Sequence, residues 1–345
     1  MQYCVRKTRQ SNGRLVRIKC ALISMGYPVN HCINENADIL KLVEASRLYY
    51  EKDMTQAEIA KRMNISRPAV SKLLSDARLC GIVKINIKSP LLSDESLQEE
   101  LCSRYHLKAS LVVPSRSSDE KLLTRLVISQ AALYIEKLLP KVNRIGLGWG
   151  DAIGSLVDEI KGDPSRDIET GHVCPVIGNA PNDIKWYQTN ELTRIFASKT
   201  GFTPHYLHAP AFPVTVENKA LFENTAEYQE TSKLWRELDM VILGVGTYPS
   251  VPDQATAARF GNLLREKKAV GMLATYYFDG DGKIIKSKDD IVIRIARNDL
   301  ERVDRVVLIG GGEKKINSVR GILKTGLVNH LITDENTARA LLEIQ

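Results

Sequence analysis

The sequence predicts an α/β chain in which an N-terminal winged helix-turn-helix precedes a C-terminal Rossmann-like parallel α/β domain. Three observations predict it. A short window carries paired helix caps around a turn residue, and the basic excess sits wholly in the first 90 residues. From residue 109 onward, apolar strands alternate with helices, and three of the strands run into glycine. At 345 residues the chain exceeds one ordinary domain. We divide it into a basic arm over 1–34, a helix-turn-helix over 35–90 and an α/β domain over 91–345.

The head is read from Met54 to Ala77, MTQAEIAKRMNISRPAVSKLLSDA. Thr55 and Glu58 have capping-box spacing, which satisfies two orphan amides at a helix start. Asn64 falls where the chain must turn, and Asn tolerates the left-handed conformation. Ser66 suits the cap of a second helix, with Pro68 in its first turn, where a missing N–H costs little. Ile59, Met63, Ile65, Val70, Leu73 and Leu74 form the stripe that joins the helices. Ala57 and Ala60 are small enough to let them approach. The positions left facing outward are Arg67, Ala69, Ser71, Lys72 and Ser75, a basic, hydroxyl-bearing surface suited to phosphates and base edges.

An upstream helix over Ala37–Glu51 is expected to pack on this pair through Ile39, Leu40, Val43, Leu48 and Tyr49. Downstream, Gly81 stops the second helix and Ile82–Ile87 alternates as a wing strand would. The candidate DNA contacts are Thr55, Gln56, Ser66, Arg67, Pro68, Ser71 and Lys72. Arg67 and Ser71 are assigned to base edges, Lys72 and the Thr55 helix end to phosphates. An ordinary surface hairpin would share the apolar stripe, but not the agreement of caps, turn and basic face at one register.

Charge supports the division. Residues 1–90 carry 16 Lys and Arg against 7 Asp and Glu, a net of +9, whereas residues 91–345 carry 32 against 34, a net of −2. Phosphate neutralisation asks for that asymmetry. No apolar run approaches the ~20 residues of a membrane span. The first 34 residues hold six basic and no acidic side chains and lack the apolar core of a signal peptide. The arm reads as a flexible basic tail or an upstream extension, with Met25 an alternative start. Cys4, Cys20, Cys32, Cys80, Cys102 and Cys174 form no C-x-x-C pair, as reduced thiols in a cytoplasmic protein would not. His205 and His208 stand three apart without a third ligand. We expect no metal and no cofactor.

The body opens with a helix over Leu97–Tyr105 and a strand over Ala109–Val113. A long helix, Leu122–Leu139, is stopped by Pro140. The strand at Arg144 breaks into Gly146–Gly150 and a helix follows over Asp151–Ile160. Further strands are read at His172–Ile177, Met240–Val245, Val270–Tyr277, Val306–Ile309 and Leu331–Thr333. Helices are read at Thr189–Lys199, from Lys314 to Leu323, and after a cap at Asp334. This alternation predicts a parallel sheet with helices on both faces. Three loops at strand ends are glycine-rich: Gly146–Asp151, Gly244–Thr247 and Gly310–Lys315. In open α/β sheets ligands bind beyond the carboxyl ends of the strands, where glycines and helix N-termini admit an anion. Each loop alone is equally a tight βα turn. The first is neither a dinucleotide fingerprint nor a Walker loop.

With these residues in place, the chain from Ala37 to Leu342 resembles the SorC family of sugar-responsive bacterial transcriptional regulators, sometimes called SorC/DeoR. The resemblance is carried by Met54–Ala77 and then, in order, by Ile145–Gly150 (IGLGWG), Pro175–Gly178, His208–Pro210, Leu243–Gly246, Tyr277–Asp279, Gly311–Lys315 (GGEKK) and Leu331–Asp334. It implies a sensing domain similar to sugar-phosphate isomerases and glucosamine-phosphate deaminases. It also implies a homo-oligomer, dimer or tetramer, that binds double-stranded operator DNA and takes a phosphorylated sugar or polyol as effector. Carried over position by position, Gly148, Trp149, Gly150, Asp151 and Ala152 would cradle the phosphate. Lys315 would supply the cation, Gln188 and Asn190 would face the sugar, and Gly246 and Thr247 would line the opposite wall. One departure stands out. Members commonly carry Arg-Thr or Thr-Thr where this chain has Asp151-Ala152, which replaces a phosphate-binding group by a carboxylate.

The expected mechanism is repression relieved by ligand, with two recognition helices in successive major grooves about 34–36 Å apart. The rival is a sugar-phosphate isomerase or deaminase fused to a DNA-binding head. By position its general base would be Asp151, Asp279, Glu313 or Asp334, none in a recognised catalytic motif. A Schiff base at Lys315 is a third reading.

Overall fold

The computed structural model describes residues 36–83, 95–115, 119–162, 171–180, 184–249, 259–288 and 291–343. The arm and the expected wing strand from residue 84 onward lie outside the described residues. The chain divides into two compact units, Met1–Ser89 and Pro90–Gln345.

Among the described residues the first unit has three helices, α1 (Asn36–Tyr50), α2 (Gln56–Met63) and α3 (Arg67–Leu79). Ala45, Leu48, Ile59, Ala60, Val70 and Leu74 form its core, with Met63, Ile65 and Leu73 packed at the margin. Two expectations are corrected. On α1, Leu40 and Val43 are 59% and 37% exposed, while Leu42 and Ala45 are buried. The inward stripe runs Ile39, Leu42, Ala45 and Ser46, and Leu40 and Val43 lie one step, about 100°, around the helix from it. Ser46 fits this face because its hydroxyl donates to the Leu42 carbonyl at 2.6 Å. Ala57 is exposed rather than at the helix crossing, because it belongs to the capped first turn of α2.

The second unit is built on a seven-stranded sheet in the order β1-β11-β10-β5-β2-β3-β4, parallel throughout. Its strands are β1 (Ala109–Val113), β2 (Arg144–Leu147), β3 (His172–Pro175), β4 (Thr203–Pro204), β5 (Met240–Gly244), β10 (Arg305–Ile309) and β11 (His330–Asp334). Side chains alternate across it as a pleated sheet covered on both faces requires. Val241, Leu243, Val306, Leu308 and Leu331 join α4 (Glu95–Tyr105), α12 (Ile316–Lys324) and α13 (Glu335–Glu343) in one core. Ile145, Leu147, Ile242, Val307, Ile309 and Ile332 join α5 (Glu120–Leu138), α6 (Asp151–Glu159) and α7 (Thr189–Thr200) in the other.

The single strand expected over Val270–Tyr277 is two. β7 (Ala269–Leu273) turns at Ala274 and Thr275, with φ of 43° and 63°, into β8 (Tyr276–Asp279). No Gly or Asn marks that turn, so the sequence reads through it. With β6 (Gly246–Thr247) and β9 (Ile284–Ile285) these make a four-stranded antiparallel sheet, β6-β7-β8-β9. The expected β3 is also shorter, since Val176 leaves the ladder and Ile177 instead bridges Arg294. Two further helices, α8 (Val216–Glu223) and α9 (Ala226–Trp235), occupy the stretch before β5 that the sequence reading left blank.

Candidate functional site

The head meets the geometric demands of a helix-turn-helix. Thr55 caps α2 by accepting from Glu58 N at 3.3 Å, and its own amide donates to Glu58 Oε2 at 2.8 Å. Donation from the Thr55 amide, and next from its hydroxyl at 2.8 Å, holds the Glu58 carboxyl below its usual range. Asn64 closes α2 in the left-handed region, φ 52° and ψ 47°. Ser66 caps α3 by accepting from Ala69 N at 3.3 Å, with Pro68 in the first turn. Arg67, Ser71 and Lys72 are exposed on α3, while Ala69 and Ser75 are half-buried. Arg67 and Ser71, four apart, share a face. Thr55 and Ser66 are exposed and Gln56 half-buried at the helix starts. Seven candidate contacts thus lie along one capped pair of helices.

The second unit places its glycine loops together at the carboxyl ends of β2, β5 and β10. Two positions of the first loop have a physical need for glycine. A Cβ on Gly148 would stand 2.6 Å from the Leu243 side chain, so the loop could not lie so close to β5. Gly150 has φ 106°, which side-chain-bearing residues rarely adopt. Its amide donates to the Trp186 carbonyl at 2.8 Å, pinning the loop before α6 begins. No side chain caps α6, so its first amides are left for solvent or a ligand.

Asp151 is the first residue of α6, exposed and not its cap. Its charge acts on Lys315, whose amine is held below the usual lysine range by burial, with Asp151 drawing the other way. Gly246 and Thr247 in β6 pack beside the 3-10 turn Glu313–Lys315, and Ala152 lies 3.4 Å from the Cβ position of Gly244. The arrangement joins Gly148–Ala152, Gly246–Thr247 and Lys315. A cavity of about 160 Å3 opens here, lined by Ala152, Ile309, Gly310–Gly312, Lys314, Lys315 and Asp334, and across from them by α5.

Other assignments fare differently. Asn190 does not face an open site: its amide donates to the Leu207 carbonyl at 3.2 Å and accepts from Leu207 N at 2.9 Å. Gln188 lies at the start of α7, its amide 3.4 Å from the Ala180 carbonyl. Trp149 turns toward Tyr187 and Phe212, with ring centroids at 5.7 and 6.1 Å, and the Arg259 guanidinium stacks 4.5 Å from the centre of Phe212. Of the proposed general bases, Asp334 is committed to Gly312 N at 2.7 Å and to Thr337 N and Oγ1 at 2.9 and 2.7 Å. Asp279 holds the amides of Asp281 and Lys283. Both are scaffolding carboxylates.

Sequence reasoning missed Glu120 and Thr124 of α5 at the cavity, because a helix N-terminal turn far upstream carries no sign of which loop it faces. The contact between His172 and His205 also had no sign in the sequence. His205 Nε2 meets His172 Nδ1 at 3.0 Å, across adjacent strands, and not His208. Among the described residues no three metal-ligating side chains cluster.

Known proteins decide what this arrangement belongs to. Residues 89–343 match the family model described as "Putative sugar-binding domain", and residues 47–80 match that of sigma-70 region 4. The chain belongs to the SorC-type family of sugar-binding transcriptional regulators. A deoxyribonucleoside regulator of Bacillus subtilis is 29% identical over 307 residues, covering 87% of this chain and 96% of that protein. The sorbitol operon regulator of Klebsiella pneumoniae is 28% identical over 323 residues, covering 90% and 100%. The crystal structure of that full-length regulator, SorC, superposes with a TM-score of 0.74 at 26% identity, covering 89% of this chain and 99% of that one. These SorC-type relatives are regulators and not enzymes, which removes the isomerase reading. Among the described residues of this SorC-type regulator, no helix is long and apolar enough to cross a membrane.

Proposed function

We propose that this SorC-type regulator is a cytoplasmic repressor of a carbohydrate-utilisation operon whose operator affinity is controlled by a phosphorylated sugar or polyol. The observation that carries the reading is the half-buried Lys315 amine near the uncapped start of α6, in a cavity lined by the third glycine loop and by Ala152 of α6. A half-buried cation, uncapped helix amides and close-approaching backbone together favour an anionic group. Asp151 takes a sugar hydroxyl or orients Lys315 instead of contacting the phosphate, since two anions there would repel.

At the other end, Arg67 and Ser71 read base edges in the major groove while Lys72 and the α2 start meet phosphates. A homo-oligomer, dimer or tetramer, presents two such heads to successive grooves of double-stranded DNA. Effector bound in one arrangement of subunits more tightly than in another shifts the population, and DNA affinity with it. Gel-shift titration on DNA upstream of its own operon tests the output. The expected result is binding that weakens steeply with salt; no salt-sensitive binding would overturn it.

A further inference from the structure

The outward face of α1 carries an apolar stripe that the core of the head does not use. Leu40, Val43 and Tyr50 are exposed on it. With Arg47 they follow one another at intervals of three, four and three residues, the spacing of a coiled-coil seam. At 100° per residue all four lie within about 80° of the helix surface. Apolar residues scattered singly on a surface are ordinary, whereas an aligned stripe rimmed by charge marks an interaction face. The opposite side of α1 packs in the core of the head through Ala45 and Leu48, so a partner on the outer face leaves Arg67 and Ser71 of α3 exposed.

The stripe is complementary to itself. Three-four-three reads the same backwards, so a second α1 laid antiparallel sets Leu40 against Tyr50 and Val43 against the aliphatic stem of Arg47. The two-fold axis then passes at Ala45. Charge agrees with that register. Lys41, Glu44, Arg47 and Glu51 are all exposed and alternate in sign along the helix. Reversal brings Lys41 opposite Glu51 and Glu44 opposite Arg47, so every charge meets its opposite. A parallel pair in register would set like charge on like throughout, which is unfavourable. Arg47 already holds Glu51 of its own helix at 3.0 Å at the surface, and the Glu44 of a second copy extends that pair into a network.

We infer that the outer face of α1 is a head-to-head contact, on which a second copy of this chain docks its own α1 antiparallel about a two-fold axis at Ala45. This rests on the homo-oligomer reading above and deepens it by naming the surface through which two heads pair. An isologous contact of this kind gives the pair of recognition helices the two-fold symmetry that a palindromic operator has. Leu40 and Val43 are apolar because a second copy, and not the core of their own head, covers them.

The test replaces Tyr50 of the full-length protein by the photoreactive p-benzoylphenylalanine and irradiates it. A covalent dimer is expected on a denaturing gel, with the link mapped by mass spectrometry to Leu40 or to a residue within one turn of it on the second copy. Glu44→Arg alone and Arg47→Glu alone should each lower the yield several-fold. The two together should restore it, because the double swap re-forms the opposite-sign pairs between copies. Sedimentation velocity on the same samples fixes the oligomeric state. Three results overturn the α1 contact: no covalent dimer, a link at position 50 of the second copy or outside α1, or a yield that the double swap does not restore. An oligomer in the centrifuge then leaves the homo-oligomer reading standing, whereas a monomer overturns both.

Discussion

At Asn64 a single residue sets the turn of the DNA-reading head. Its left-handed backbone, φ 52°, costs an alanine about 1 kcal/mol more than it costs glycine. Asn64→Ala is therefore expected to lower head stability by about that amount in urea unfolding, and Asn64→Gly to leave it nearly unchanged. Lys315 presents the opposite trade. Burial holds its amine below the ordinary lysine range, so the folded state carries a charge it would more readily shed. Lys315→Met should raise the thermal midpoint of the ligand-free protein and abolish the upward shift produced by a sugar phosphate. A variant that keeps the full ligand shift would remove Lys315 from the site. Asp334, which looked like an acid-base candidate, is a brace: it holds the Gly312 amide and the start of α13. Asp334→Ala, which leaves the Thr337 amide without its acceptor and the Gly312 amide with Thr337 Oγ1 alone, is expected to cost about 1–3 kcal/mol in chemical denaturation.

At the scale of elements, glycine approach and helix register decide what the sequence makes legible. Gly154 in α6 lies under the Trp186 ring, where an added Cβ would stand 2.2 Å from ring carbon. Gly154→Ala must displace Trp186, and with it the carbonyl that pins Gly150. The expected outcome is about 1–3 kcal/mol of destabilisation together with weaker effector binding in calorimetry. The caps of α2 and α3 were readable because Thr55, Glu58, Asn64, Ser66 and Pro68 act on backbone a few residues away. The face of α1 was misread because Ala45 and Ser46 carry little hydrophobic signal, though both are buried. The β7–β8 hairpin was invisible because Ala274 and Thr275 take positive φ without a turn residue's signature. Of the site, the glycine loops and Lys315 were legible as local pattern. The place of α5 at the cavity was not, because its meeting with Gly310–Lys315 joins segments some 190 residues apart; nor was the Asn190–Leu207 clamp, which only the folded chain brings together.

Over the whole molecule, the sheet that carries the site has its own pH signature. His330 begins β11, and burial, with Arg305 and Lys108 nearby, pushes its imidazole down to about 4 from 6.5. The unfolded chain binds that proton more readily than the folded one, so the contribution is fully present above pH 6.5 and is lost as pH falls toward 4. The unfolding midpoint of the sensing unit should drop over that window, and His330→Asn should flatten the drop. At the same scale, the charge division between the first 90 residues, arm and head together, and the rest, +9 against −2, fits DNA contact at the N-terminal end. The account stands on the coupling between them. Fluorescence anisotropy of labelled operator DNA, titrated with full-length protein at fixed salt, measures that coupling with and without the sugar phosphate that binds best. The account predicts that this ligand weakens operator affinity by roughly fivefold or more, and that Lys315→Met binds the same DNA but does not respond. An operator affinity unchanged by a ligand that demonstrably binds the protein would contradict it.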